Sequence, residues 1–86
     1  MRKFYAEATI LCDSGEPAAL RYYLLFRRGY GVRIVMRRKG DVQRAQLRCC
    51  SKSESLALLA VLHRNTVTPC TLHEAADACL AKIDNF

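Results

Sequence analysis

The sequence predicts an α+β fold, in which a four-stranded antiparallel β-meander is followed by two C-terminal helices packed on one face of the sheet. Apolar and polar residues alternate through the first half of the chain, in stretches separated by turn residues. After Ser51 the apolar residues recur at helical spacing instead. The predicted strands cover about 3–12, 18–27, 31–38 and 41–50, and the predicted helices about 52–65 and 69–83. With 86 residues, the chain is expected to form a single domain, residues 1–86.

The first two strands are predicted from an apolar alternation that is interrupted by a turn. Every second side chain of the first strand falls on one side, which carries Phe4, Ala6, Ala8, Ile10 and Cys12. Turn residues in the segment Asp13–Pro17 end this strand. Leu20–Phe26 is rich in aromatic and apolar residues, which is typical of a second strand.

The third and fourth strands are predicted on either side of a tight turn. Val32–Arg37 is β-branched and alternating, and Val42–Cys49 continues a similar pattern. Lys39-Gly40 suits a two-residue hairpin turn between them. The loop before the third strand is expected at Arg28–Gly31, where glycine recurs.

The loop lengths predict a register that places one apolar set on one face of the sheet. A two-residue turn at 39–40, a three-residue loop at 28–30 and a five-residue loop at 13–17 define it. The expected partners include Ile34 and Ala45, Val32 and Leu47, Leu24 and Ile34, Tyr22 and Met36, Ala8 and Tyr22, and Phe4 and Phe26. On the other face, this register sets Arg21 directly opposite Arg37.

The helices are predicted from capping signals and from helical spacing. Ser51 with Glu54 forms a capping box, and Thr68 before Pro69 is a suitable N-cap for the second helix. The apolar stripe of the first helix is expected to contain Leu56, Leu59, Ala60 and His63, widened by Leu58 and Leu62. The stripe of the second helix is expected to contain Leu72, Ala75, Ala76, Cys79, Leu80 and Ile83.

Basic residues outnumber acidic residues, and the excess lies in the strand-forming part of the chain. The formal net charge is +6. Residues 1–52 contain twelve Lys and Arg against four Asp and Glu, whereas residues 53–86 contain two against four. Ten of the basic residues are arginine, which contacts phosphate and carboxylate groups bidentately. The asymmetry favours a basic face for an anionic partner, and the alternative is that the charges only maintain solubility.

The candidate binding face is the side of the sheet that the helices leave uncovered. Arginines occupy its alternate strand positions, interleaved with Tyr5, Tyr23, Leu25 and Val35, and Glu7 is the central acidic residue. The expected binding residues are Arg21, Tyr23, Arg27, Arg33, Arg37, Arg44 and Arg48. An anionic ligand would relieve the repulsion expected between Arg21 and Arg37.

The five cysteines are expected to be reduced thiols. Their number is odd and no secretory signal is visible, which disfavours a disulfide framework. Cys70 and His73 have ligand-like spacing, but no Cys-x-x-Cys pair accompanies them, so we expect no metal site and no cofactor. Most of the cysteines are expected to act as small buried hydrophobic side chains.

Catalysis is not expected, because no nucleophile, base and orienting group combine in a recognisable pattern. Cys70 and His73 could form a dyad at i, i+3 near a helix N-terminus, but no acidic partner or oxyanion glycine motif accompanies them. A thiol enzyme or thiol sensor at Cys70 is therefore the least favoured function. His63 is interpreted as a helix-edge histidine.

The chain is expected to be cytoplasmic. Its longest apolar run is far shorter than the roughly 20 residues that a membrane-spanning helix requires, and the basic N-terminal residues precede no hydrophobic segment of a signal peptide. We therefore expect no membrane partner.

Two segments carry a resemblance to a known family. The first, Tyr30-Gly31-Val32-Arg33-Ile34, ends the sheet, and the second, Val67-Thr68-Pro69-x-x-Leu72-x-x-Ala75-x-x-x-Cys79-Leu80, follows a helix. In this order of elements the chain resembles a family of small uncharacterised bacterial proteins. The resemblance extends from the second strand over most of the chain. It implies a β-meander followed by two helices and a bacterial cytosol. That family has no assigned activity, so the resemblance implies no functional residues.

Two functions remain open from the sequence. The favoured one is a non-enzymatic protein-interaction or regulatory module that uses the basic face, with a protein partner or a second copy in a homodimer. The alternative is binding of single-stranded RNA or DNA through the Arg and Tyr side chains of the same face. Against this alternative, the chain matches neither ribonucleoprotein consensus motif.

Overall fold

The computed structural model describes the backbone of residues 1–84 and the side chains of residues 1–79. The elements are β1 (Arg2–Leu11), β2 (Pro17–Leu25), β3 (Tyr30–Arg38), β4 (Asp41–Cys49), α1 (Lys52–Arg64), a 3-10 turn (Pro69–Thr71) and α2 (Leu72–Asp84). The strands form one antiparallel sheet in the order β1-β2-β3-β4. The predicted α+β fold, a four-stranded meander with two helices after it, is confirmed.

The core lies between the helices and one side of the sheet, which we call the inner face. Because strand side chains alternate, every second residue of β2 and β3 points into this core. The sheet contributes Ala18, Leu20, Tyr22, Leu24, Val32, Ile34 and Met36. The helical part contributes Leu58, Leu59, Leu62, Val67, Leu72 and Ala76.

Helix α1 begins at the predicted cap and buries the predicted Leu58, Leu59 and Leu62, but its buried stripe is centred on a different line of residues. The Ser51 side chain accepts a hydrogen bond of 3.1 Å from the Glu54 amide. The buried residues are Ser55, Leu58, Leu59 and Leu62, whereas Leu56 and Ala60 are exposed. Ser55 can face the core because its hydroxyl donates a 2.9 Å bond to the carbonyl oxygen of Ser51.

The helix ends in a Schellman motif. The Thr66 amide donates to the His63 carbonyl and the Val67 amide to the Leu62 carbonyl, at 3.2 and 3.0 Å. Thr66 holds the left-handed position, with φ of 48°. Val67 thereby turns back into the core beside Leu62.

The start of α2 differs from the prediction. Thr68 makes no side-chain capping bond, and Pro69 opens the 3-10 turn, so the α-helix itself starts at Leu72. Leu72 and Ala76 are buried as predicted, and Ala75 and Cys79 pack at the edge of the core. The side chains predicted at Leu80 and Ile83 lie outside the described residues.

The register between β3 and β4 is confirmed. Arg38 pairs with Asp41 across the Lys39-Gly40 turn, and both turn residues have positive φ, at 36° and 81°. This conformation is that of a two-residue hairpin, in which glycine relieves the steric cost at the second position. The partners Val32 and Leu47, Ile34 and Ala45, and Met36 and Gln43 follow directly.

The other two registers differ from the prediction by two residues. Tyr22 pairs with Ile34 rather than Met36, and Ala8 with Leu20 rather than Tyr22. A shift by two leaves every side chain on its own face, because the side-chain period of a strand is two. The apolar pattern is therefore satisfied equally by both registers, and the true loop geometry decides between them.

A β-bulge at Tyr5 reverses the faces at the start of β1. Phe4 pairs with Tyr23 and Ala6 with Tyr22, so Tyr5 is the extra residue. Phe4 therefore lies on the side away from the helices, 51% exposed, instead of in the core beside Phe26. Tyr5 turns toward α1 instead, where its ring packs edge-on against His63 at 6.4 Å. Phe26 lies in the loop after β2 and is also exposed.

Candidate binding face

The outer face is the side of the sheet opposite the helices. Its side chains alternate with those of the inner face. The register gives its members as Arg2, Phe4, Glu7, Thr9 and Leu11 of β1, Pro17, Ala19, Arg21, Tyr23 and Leu25 of β2, Gly31, Arg33, Val35 and Arg37 of β3, and Val42, Arg44, Gln46 and Arg48 of β4. Among these strand positions, all within the described residues, Glu7 is the one acidic side chain.

The arginines of the outer face are interspersed with neutral residues. Arg21 and Arg44 both pair with Val35, and Arg48 pairs with Gly31. Arg37 lies between Ala19 and Val42, so the predicted pairing of Arg37 with Arg21 is wrong. Because cross-strand repulsion acts mainly between direct partners, the sheet tolerates this charge without a bound anion. Repulsion between Arg21 and Arg37 therefore gives no indication of an anionic ligand.

Two apolar side chains are buried on the outer face although no helix covers them. Tyr23 is 8% exposed and Val35 is 7% exposed, and both lie outside the core that the helices cover. Arg21 and Arg44 flank Val35 in the register, so their alkyl stems are placed to cover it. The outer face is therefore a layer of arginines over a short apolar strip.

The Tyr23 ring contacts one cationic and one aromatic side chain. The guanidinium carbon of Arg2 lies 4.5 Å above the centre of the Tyr23 ring, a cation–π contact. The Phe4 ring meets Tyr23 edge-on, at 6.0 Å between centroids. One face of the Tyr23 ring is thus already occupied by a side chain of the same sheet.

The individual arginines are held to different degrees. Arg33 donates to the Gln46 side-chain oxygen from Nε and Nη2, at 3.2 and 2.6 Å. Arg48 donates from Nη1 to the Arg28 carbonyl oxygen at 2.8 Å. Arg21 lies 3.8 Å from the Glu7 carboxylate in an exposed ion pair. Such a surface pair contributes little to stability.

The remaining predicted binding residues lie at different places in the structure. Arg37 and Arg44 are exposed on the outer face, near the hairpin that joins β3 to β4. Arg27 is exposed in the loop between β2 and β3, beside the end of the outer face. The structure therefore gathers the predicted binding residues on one side of the sheet and its adjoining loop.

Arg2 and Phe4 also belong to this face, and the sequence reasoning missed both. Uninterrupted alternation along β1 places Phe4 in the core and Tyr5 outside, but the bulge exchanges them. No glycine marks the bulge. The adjacent pair Phe4-Tyr5 gives no signal either, since neighbouring side chains of a strand lie on different faces with or without the bulge.

Among the described side chains, no hydrogen bond joins a histidine to an exposed thiol. His63 Nε2 lies 3.2 Å from the Glu7 carbonyl oxygen, and its ring packs edge-on against Tyr22 at 5.8 Å. His63 therefore joins α1 to the start of β1. The Cys70 thiol donates a weak bond of 3.9 Å to the Gln43 side chain, and His73 is exposed on α2.

The cysteines are free thiols in the described part of the chain. Cys12, Cys49 and Cys79 are half-buried and pack against the core, whereas Cys50 and Cys70 are exposed. Burial raises the pKa of the Cys49 thiol, which keeps it neutral. Residues 1–79 bring together no group of three or more His, Cys, Asp or Glu side chains that could hold a metal ion.

Over the described residues, neither helix has the length and apolar character needed to cross a lipid bilayer. Comparison of the chain with protein-family models, curated proteins and solved structures gives no match. The resemblance to a family of small bacterial proteins, and the cytoplasmic location, stay predictions.

Proposed function

We propose that this protein is a non-enzymatic interaction module whose outer face binds an acidic surface of another protein. The observation that supports it is the composition of that face, where six arginines surround the buried strip of Tyr23 and Val35 and only Glu7 opposes them. Arginine is enriched at protein interfaces because it combines apolar contact area with polar bonding. Phe4 and Val42 are the exposed apolar side chains next to these arginines, so such a surface matches a partner that presents carboxylates around a few apolar side chains.

Binding rather than catalysis is proposed because two of the groups that could react, His63 and Cys49, already serve the fold. His63 contacts the Glu7 backbone and the Tyr22 ring. Cys49 is neutral and packs on the core. At the strand positions of the outer face, the ionisable side chains besides Glu7 and Tyr23 are arginines, which remain charged at any physiological pH and are therefore poor general bases.

The same charge disfavours a second copy of this chain as the partner. In a symmetric dimer each outer face would meet an identical face. Six arginines from each copy would then approach one another, with one Glu7 carboxylate per copy to offset them. An acidic partner gains Coulomb energy from the arrangement that would destabilise a homodimer.

Single-stranded nucleic acid is the second candidate, and one observation favours it. The Phe4 ring is half-exposed beside Arg2 on the outer face, and Phe26 is exposed in the adjoining loop. Bases stack on exposed aromatic rings next to arginines. However, Arg2 covers a face of Tyr23, so the sheet offers one free aromatic ring, Phe4, where a stacking platform uses two or three.

Fluorescence anisotropy with two labelled probes of equal charge tests the two candidates. The probes are a peptide of alternating Glu and Leu residues and a single-stranded oligouridylate. We expect the peptide to bind more tightly at low ionic strength and to be released by added salt. Tighter binding of the oligouridylate would replace the first candidate by the second, and no binding of either probe at low salt would refute both.

A double substitution locates the binding. Replacing Arg37 and Arg44 by Gln removes two exposed guanidinium groups from the outer face, so we expect about tenfold weaker peptide binding. Replacing Lys52 and Arg64 by Gln removes two exposed positive charges from α1 on the opposite side of the sheet and is the matched control. Equal weakening in both variants would mean that binding follows net charge alone. Light scattering of the free protein over a concentration series checks that it does not self-associate.

A further inference from the structure

The side-chain layer of the outer face contains a cavity beside the loop that joins β2 to β3. Its volume is about 290 Å³, and Arg27, Arg33 and Arg48 line it. Gly31 lies between Leu25 and Arg48 in the register, and it has no side chain to fill this place. The cavity is therefore a gap in the arginine layer at the position of a glycine.

Gly31 is required there by the backbone as well. A Cβ atom at this residue would stand 2.5 Å from the Leu47 carbonyl oxygen on β4. Any other residue would force the two strands apart. Because β3 and β4 approach each other so closely, position 31 cannot carry a side chain that would fill the cavity. Leu25 forms an apolar part of the cavity wall.

The charges around the cavity are not neutralised by the protein. Three guanidinium groups line it, and no acidic side chain of residues 1–79 is among its lining residues. Within the described residues the ion pairs are Arg21 with Glu7 and Lys39 with Glu16, so none of the three cavity arginines takes part in one. Cations gathered in a concave site attract anions more strongly than the same cations spread over a flat surface.

Two of these arginines are oriented in advance. Gln46 holds the Arg33 guanidinium through two bonds, and the Arg28 carbonyl oxygen holds that of Arg48. A Cβ atom at Gly29 would lie 3.3 Å from Arg48 Nη1, so glycine also leaves room for that guanidinium. A guanidinium has five N–H donors, and the remaining donors of both groups stay free for a ligand.

We propose that this cavity binds a phosphoryl group carried on a side chain of the acidic protein partner, an inference that rests on the proposed function. A phosphate monoester carries a charge of about −1.5 to −2 and three acceptor oxygens, which suits donors arriving from three arginines. A carboxylate carries one charge and two oxygens, and would leave part of this donor set unused. The partner would then bind more tightly after phosphorylation of a serine or threonine.

The cavity itself is tested with free O-phosphoserine, followed by heteronuclear NMR of the full chain. We expect the largest shifts at the Gly29 and Gly31 amides and at the Arg33 and Arg48 Nε–H groups, and smaller shifts with free glutamate. Shifts that are absent, or that spread evenly over all exposed arginines, would overturn the proposal. A single-stranded oligonucleotide that shifts these signals at lower concentration than O-phosphoserine would also overturn it, in favour of nucleic acid.

The partner assignment is tested with acidic peptides that differ at one central position, which is serine, glutamate or phosphoserine. We expect the phosphoserine peptide to bind about tenfold more tightly than the glutamate peptide. Arg27→Gln and Arg48→Gln should each reduce this preference to below about threefold, while Arg44→Gln weakens the glutamate and phosphoserine peptides equally.

The two proposals fail in different ways in this experiment. Binding of the glutamate and phosphoserine peptides with equal affinity would overturn the phosphoryl site and leave the acidic-partner function standing. Binding of none of the peptides would refute the acidic-partner function, and O-phosphoserine shifts would then report on the cavity alone. Preference for phosphoserine that survives both Arg27→Gln and Arg48→Gln would place the phosphoryl group elsewhere and overturn the proposal.

Discussion

The hydroxyl group of Tyr22 donates a hydrogen bond of 3.0 Å to the carbonyl oxygen of Val67, in the centre of the core. Tyr22 is fully buried on β2, and Val67 follows the end of α1. The bond joins residues 45 positions apart and satisfies a carbonyl group that would otherwise face apolar side chains. It fixes the connection between the helices to the middle of the sheet.

Removing this hydroxyl is expected to destabilise the fold. Tyr22→Phe keeps the ring in the core but leaves the Val67 carbonyl oxygen without its donor, which costs about 1–2 kcal/mol of unfolding free energy. Urea denaturation followed by circular dichroism measures the loss. Tyr23→Phe is the matched control, since no hydrogen bond of the Tyr23 hydroxyl group occurs among the described residues. An unchanged midpoint for Tyr22→Phe would mean that water satisfies the carbonyl group.

The burial of Tyr22 also predicts that the protein loses stability at alkaline pH. Burial raises the pKa of Tyr22 to about 12 from an ordinary value of 10.0. The folded protein thus holds this proton more tightly than the unfolded chain, so the stabilisation is complete below about pH 10 and is lost as the pH rises toward 12. Wild type should therefore lose up to about 2–3 kcal/mol relative to Tyr22→Phe across this range. Urea midpoints of both proteins from about pH 9 to about pH 12 check this, and parallel curves would contradict it.

Thr66 occupies the position of the Schellman motif at which glycine is usual. Its φ of 48° is unfavourable for a β-branched side chain. Thr66→Gly should raise the unfolding free energy by about 0.5–1 kcal/mol, because the relief of strain exceeds the entropy lost by glycine. Thr66→Ala keeps a Cβ atom at positive φ and should gain less. Thermal melts rank the three proteins, and a lower melting temperature for Thr66→Gly would show that the threonine side chain stabilises this turn.

Gly31 is expected to be intolerant of any side chain. The Cβ atom of Gly31→Ala would meet the Leu47 carbonyl oxygen, which is backbone and cannot rotate away, so we expect a loss of about 1–3 kcal/mol. In the Gly31→Ala variant, amide hydrogen exchange should accelerate more in β3 and β4 around Leu47 than near the Lys39-Gly40 turn. Uniform acceleration over the whole sheet would indicate global destabilisation without strand separation.

Neither direct cross-strand partner of Arg37 is charged, so replacing Arg37 is expected to change the stability of the fold only slightly. With Ala19 and Val42 as partners, Arg37→Thr should alter the unfolding free energy by less than about 0.5 kcal/mol. A thermal melt measures it. Stabilisation beyond that amount would mean that repulsion from the other arginines of the outer face strains the folded protein.

The sequence by itself determined the elements and their assignment to the two faces of β2, β3 and β4. Turn residues, a capping serine at Ser51 and the change of apolar period are local signals, and each acts over a few residues. The hairpin at Lys39-Gly40 also determined its register, because a two-residue turn leaves no alternative pairing. The arginines at alternate positions of β2, β3 and β4 were therefore assigned correctly to one side.

Only the tertiary structure decided which residues lie next to those arginines. The registers of β1 with β2 and of β2 with β3 differ from the prediction by two residues, a shift that the apolar pattern cannot detect, because side chains alternate with a period of two. That shift separates Arg37 from Arg21 and sets Gly31 beside Leu25. The bulge at Tyr5 brings Arg2 and Phe4 to Tyr23 and places the Tyr5 ring against His63 of α1. Contacts between residues so far apart in the chain leave no local pattern from which they can be predicted.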